Sequence, residues 1–298
     1  MMNRISRPSS VEFALLFGIP VLFYFFVVFL PILVGAFLSL TQWSGGPNIR
    51  LVGFRNYALL VKDAGFWNAF LNNLKIIAWC LVGQVGLGLL ASLLLSSRFL
   101  KSRAIYRFTM FIPVVLAGVV VGFLWVMVFN STFGLLNWFL KFIGRPDWIL
   151  RWLDDPKVVV NSISVTLIWQ YMGLNLVIFL ASLQNIPQEL LDSASIDGAN
   201  GLQTALHITL PLLASTIAVA VSFCIAGNMK VFDHIWIMTG GGPGTASSVM
   251  AIFAYKMSFE NMIFGYGSAI SIGTILLSSI LLVTANIAMN LGKRYGTE

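Results

Sequence analysis

The sequence predicts an all-α integral membrane protein with six transmembrane helices, and three observations lead there. Only 10% of the 298 residues are charged while 58% are hydrophobic. A soluble domain carries about 25% charged residues, so this chain has too little polar surface for water. Six apolar segments reach the roughly 20 residues a helix needs to cross the hydrocarbon core: 11–36, 69–97, 105–129, 161–184, 209–228 and 266–290. The last three contain no Asp, Glu, Lys, Arg or His. Backbone polar groups in lipid must be satisfied internally, and the length and weak period-2 alternation of these runs point to helices, not a barrel. The formal net charge of +7 then reflects membrane orientation and anionic lipid, not a nucleic-acid surface.

The first span follows "MMNRISRPSS" and runs from Val11 to Leu40. It is much longer than a signal-peptide core and lacks a small-residue cleavage site, so it reads as an uncleaved span. A Trp-Ser-Gly-Gly-Pro turn and "LVGFRNY" fill the loop before the second span. Lys75 and Arg107 lie near span ends, where long basic chains reach the interface. After the third span, Trp138, Trp148 and Trp152 suit anchoring in the interface belt. Cys80 and Cys224 sit inside apolar runs and read as small buried side chains, with no metal or disulfide role. Between spans five and six, Gly240–Gly242, Pro243 and Gly244 forbid a continuous helix. Arg4 and Arg7, Arg98, Lys101, Arg103 and Arg107, and Lys293 and Arg294 share one side of a six-span chain. The terminus and the tight "SSRFLKSR" turn favour a cytoplasmic location for that side, with both chain termini on it.

The loop 185–208 then faces the cytoplasm, yet no Lys or Arg occurs between Lys157 and Lys230. That departs from the usual enrichment of inside loops. Asn185 is expected to cap a helix with Pro187 in its first turn and Gln188, Glu189 and Asp192 near its positive end. Leu190, Leu191 and Ala194 form a small apolar face. Ser193, Ala194 and Ala199 allow close approach of another chain. Asp197-Gly198 is a turn pair in which Gly198 takes positive φ and stops the helix. Asn200 caps a second helix expected to run without slack past Pro211 into span five. An acidic, small-residue knob suits a protein partner with basic groups, since anionic headgroups would repel it.

These residues resemble the "EAA" loop of permease subunits of bacterial ATP-binding-cassette importers. Asp192-Ser193-Ala194, Asp197-Gly198-Ala199 and Ile208-Thr209-Leu210-Pro211 stand in register with it. The departures are Asp192 for Glu, Ser193 for Ala, and Ala205 where an aromatic often stands. "LVGFRNY" (51–57), "RAIYRFTMFIP" (103–113), "FGLLNWFL" (133–140) and "IMTGGGPGTASS" (237–248) are similar, in order, to the sugar branch containing the maltose and glycerol-3-phosphate permeases. The resemblance implies the type I ABC importer permease fold in one domain, 1–298. It implies a second, similar permease, two cytoplasmic ATPase subunits docked on the two EAA loops, and an extracytoplasmic solute-binding protein in a bacterial inner membrane. It assigns Glu189, Asp192, Ser193, Ala194, Asp197, Gly198 and Ala199 to the ATPase contact. ATP and Mg belong to the partners, and this chain lacks a G-x-x-x-x-G-K-[ST] phosphate loop.

Polar residues inside a membrane are functional candidates. Span four offers Gln170, Tyr171, Leu174 and Asn175, where residues four apart share a face. The end of span five offers Asn228, Lys230 and Asp233. Amides, hydroxyls and an aromatic ring suit a sugar, and the resembled family lines its path with these regions. The same groups serve equally as interhelical hydrogen bonds, and the partner permease could make the main contacts. An ion-coupled secondary carrier is the alternative, but it would keep charges mid-membrane and show inverted repeats. An intramembrane enzyme would need a nucleophile–base set, and His207 and His234 have no convergent partner visible in sequence.

Overall fold

The computed structural model describes residues 10–96 and 102–295. Arg4, Arg7, Arg98 and Lys101, on which the orientation rests, lie outside the described residues, as do the side chains of Lys293 and Arg294. The chain divides into two compact units, Met1–Lys62 with Ala254–Gly273 and Asp63–Phe253 with Thr274–Glu298. Among the described residues four helices are long and apolar enough to cross a membrane: Ala14–Ser39, Ala64–Ser96, Val159–Leu183 and Phe264–Asn290. Two bent pairs, Arg103–Val115 with Gly118–Val128 and Gly201–Leu212 with Ala214–Met229, raise the number to six if each is one span.

In the first unit, the apolar window of Ala14–Ser39 buries none of its residues. The chain then folds back on the helix end. Thr41–Gln42 pairs antiparallel with Arg50–Leu51. The "LVGFRNY" stretch supplies the clasp. Buried Asn56 donates through Nδ2 to the Ser39 and Thr41 carbonyls, each at 2.8 Å, and the Tyr57 and Ser39 hydroxyls meet at 2.7 Å. A helix leaves its last carbonyls without internal donors, so this motif completes the end of the span.

In the second unit, the fourth span (Val159–Leu183) is central, with the second span and the first half of the third packed against it. The second span starts at Asp63, whose carboxylate caps the helix by accepting from Gly65 N at 2.7 Å and Phe66 N at 3.4 Å. Ile76 and Cys80 from span two, Ile163 and Leu167 from span four, and Cys224 from span five share one buried cluster. At Gly173 a side chain would overlap the Met110 carbonyl oxygen, so spans three and four meet backbone to backbone, as small residues permit in membranes.

Two spans are bent, and for the second of them an expectation is corrected. The segment 105–129 is broken, its halves lying at 101°, because Leu116 and Ala117 are extended (ψ 141° and 140°) just after Pro113. The helix leading into 209–228 turns by 70° at Leu213, so it is no straight, slack-free rod. Pro211 removes a helical donor there, and a π-helical turn, Ala205–Thr209, precedes it.

Side-chain amides hold the glycine-rich loop. Asn72 Nδ2 donates to Ala246 and Ser248 carbonyls, each at 2.9 Å, and Asn68 Nδ2 to Thr245 O at 3.0 Å. Asn73 donates to Asn228 O at 2.7 Å and accepts from Met250 N at 3.0 Å. Trp138 and Trp148 are exposed, but Trp152 departs from the expected interface role. It packs against Phe129 and donates to Asn137 Oδ1 at 2.8 Å.

Candidate functional site

Six of the seven residues expected on a solute path line one cavity of about 590 Å³: Tyr171, Leu174 and Asn175 from span four, and Asn228, Lys230 and Asp233 from the end of span five. Helical spacing puts Tyr171, Leu174 and Asn175 on one face, and the close approach of the spans places Asn228 opposite. Asn175 Nδ2 donates to Tyr171 O at 3.3 Å and Asn228 Nδ2 to Cys224 O at 2.7 Å. Each amide is thereby oriented by its own helix. Lys230 follows the last turn of span five, and Asp233 opens the short helix Asp233–Thr239.

Gln170 is the exception and is corrected here: it is 1% exposed and stands behind the wall. Its amide is taken on both sides. Nε2 donates to the Leu116 carbonyl at 2.9 Å, and Oε1 pairs with Nε2 of His234. His234 itself lines the cavity and sets its ring 6.2 Å from that of Tyr171, edge to face. His234, for which no convergent partner was visible in sequence, thus meets one in the structure. The signal lay in the sequence, since a buried amide in span four needs partners, but the partner is 64 residues away. Gln84 of span two also reaches the cavity wall and donates to Leu167 O at 3.1 Å. Two consecutive amides at Asn72 and Asn73 in an apolar run were a comparable signal for the loop clasp.

The loop 185–208 folds as a short helix, Gln188–Ile196, then a bend. The cap is Pro187, not Asn185, and no side chain caps it. Residues preceding a proline avoid the helical region, so Ile186 cannot begin the helix and Asn185 is left outside. Gln188 Nε2 donates to Asp192 at 3.0 Å, and Ser193 Oγ to Glu189 O at 2.8 Å. Ala194 is buried and Ala199 N donates to its carbonyl at 2.9 Å. Gly198 has φ +82°. Asn200 and Gln203 form a reciprocal capping box. Glu189, Asp192 and Asp197 are exposed, and beside them Ile196 is 86% and Leu202 70% exposed. Among the described residues no three His, Cys, Asp or Glu gather to hold a metal.

The family model described as "Binding-protein-dependent transport system inner membrane component" matches residues 84–295. This chain belongs to that family. It is the inner-membrane, multi-pass permease component of a binding-protein-dependent ABC importer and not the ATPase. The "Probable ABC transporter permease protein YurN" of Bacillus subtilis is 35% identical over 89% of this chain and 92% of its own length. The "Trehalose/maltose transport system permease protein MalF" of Thermococcus litoralis is 33% identical over 78% and 77%. A bacterial alginate ABC transporter, solved in complex with alginate pentasaccharide-bound periplasmic protein, matches with a TM-score of 0.80. That match is 22% identical and covers 93% of this chain and 92% of the other. Such a likeness speaks for the permease fold alone.

Proposed function

We propose that residues 1–298 act as one permease domain that passes a sugar or related polyol through the cavity walled by Tyr171, Asn175 and Asn228. The convergence of six predicted residues, five of them polar or aromatic, on one space carries this reading. The cavity falls within the roughly 300–1,000 Å³ typical of small-molecule sites, with a few polar groups placed among apolar ones. Amides bond hydroxyls and the Tyr171 ring offers an apolar face. A trehalose/maltose relative is consistent with that class.

The loop 185–208 is then the seat of a cytoplasmic ATPase subunit, with both termini on the same side. Exposed Ile196 and Leu202 beside three carboxylates make an apolar centre with an acidic rim, the usual anatomy of a protein interface. A second, similar permease completes the path, two ATPase subunits supply ATP and Mg chemistry, and an extracytoplasmic binding protein delivers the solute. One experiment tests both parts in the assembled importer. Tyr171→Ala should lower uptake at least tenfold with assembly intact, and Gly198→Pro should separate ATP hydrolysis from uptake. Unaltered uptake in Tyr171→Ala rejects the path, and normal coupling in Gly198→Pro rejects the seat.

A further inference from the structure

The hydrogen-bond pattern behind the cavity wall fixes where His234 carries its proton. Leu116 and Ala117 are extended at the break of span three, so the Leu116 carbonyl leaves the helical pattern and can only accept. Gln170 Nε2 meets it at 2.9 Å. The amide cannot be turned over, because that would set oxygen against oxygen. Gln170 Oε1 therefore faces His234, and it too can only accept, so Nε2 of His234 must be the protonated nitrogen. Burial pushes the imidazole pKa below its ordinary value, with the Asp233 carboxylate acting more weakly the other way. In this neutral ring Nδ1 keeps its lone pair.

Among the described residues no hydrogen bond engages Nδ1, and Nδ1 is not one of the sealed atoms left without a partner. The ring edge lies over Gly118, where a Cβ would stand 2.9 Å from Cε1 and 3.3 Å from Nδ1. His234 is 3% exposed, and glycine at the break lets this ring edge pack close to the backbone without a side chain covering the nitrogen.

We propose that Gln170 is a positioning residue that sets His234 Nδ1 as the acceptor for a hydroxyl of the transported solute. This rests on the cavity being the solute path. A hydroxyl donates into the lone pair, whereas a carboxylate has no proton to give and meets repulsion. Lys230 and Asp233 stand on the same wall, so the acceptor nitrogen has polar neighbours of both signs.

The test is nitrogen NMR of the assembled importer in lipid, with ¹⁵N-histidine in this chain only and His207→Gln removing the other signal. The wild type should show protonated Nε2 and unprotonated Nδ1, and a protonated Nδ1 overturns the proposal. Gln170→Leu should yield a mixture of tautomers, while an unchanged single tautomer removes the positioning role. The wild-type spectrum decides the tautomer even where that variant fails to assemble. Maltose or trehalose, as hydroxylated probes, should shift the Nδ1 resonance. No shift with either probe overturns the acceptor role. Full uptake in Tyr171→Ala beside the expected wild-type tautomer would instead locate the failure in the path reading.

Discussion

Spans three and five are both bent, and the two bends are held in different ways. At Leu116–Ala117 the helical hydrogen bonding stops, and the freed carbonyl is captured by Gln170, which in turn holds His234. At Leu213 the helix is also interrupted, but two backbone bonds meet at that residue: Leu213 N donates to Thr209 O at 3.0 Å, and Ile217 N to Leu213 O at 2.9 Å. There the corner is filled by the fully buried Leu213 side chain, with Pro211 beside it. A polar clamp has one geometry and is costly to break, because its groups are left unpaired in an apolar place. A corner filled by an apolar side chain has no such polar pair to strand when its angle changes. The clamp lies against the cavity, and the pliable corner lies between the cavity and the loop 185–208. Under the proposed function, the clamp would fix the wall where a solute is recognised and the corner would yield where a movement enters.

The largest expected effect comes from breaking the clamp. Gln170→Leu fits the space but strands the Leu116 carbonyl and the His234 Nε2–H, each costing roughly 1–3 kcal/mol. The assembled importer should lose heat resistance by several degrees, read as the temperature at which half of it aggregates. An unchanged temperature would show that the clamp does not hold the break.

The next effect should appear at the other bend and with the opposite signature. Pro211→Ala restores a helical donor and favours a straighter helix. Heat resistance should hold or rise, while solute taken up per ATP hydrolysed falls severalfold. Loss of heat resistance with normal coupling would reverse the assignment of the two bends.

The class of fold was readable from the sequence because lipid imposes a length and composition on every span. The loop 185–208 was readable because Gly198, Asn200 and Gln203 act on neighbours within a few residues, where local chemistry decides. The cavity wall was partly readable, since Tyr171, Leu174 and Asn175 fall together by helical spacing. The bends were not. Pro113 stands three residues before the break it accompanies, and proline is tolerated in many membrane helices. Gln170 was misplaced for a related reason. Periodicity gives a face of the helix, but whether that face meets open space or the Leu116 carbonyl depends on a break that periodicity does not show. His234 was set aside because its partner lies on another span.

The smallest expected effect sharpens the contrast. Near the corner of span five, Ser182 Oγ and Thr216 Oγ1 meet at 2.7 Å, tying the end of span four to the first turn after Leu213. This is the polar contact best placed to turn that corner into a second clamp. Hydrogen bonds of this kind in membrane helices average about 0.6 kcal/mol and reach about 1.7, because a hydroxyl that loses its neighbour can bond the carbonyl four residues back. Ser182→Ala and Thr216→Val, alone and together, should therefore give a coupling near the average in a double-mutant cycle of heat resistance, with transport per ATP unchanged. A coupling at or beyond the upper value, accompanied by altered transport, would mean that a polar contact fixes the angle at Leu213. The difference between a clamped wall and a pliable corner would then no longer hold.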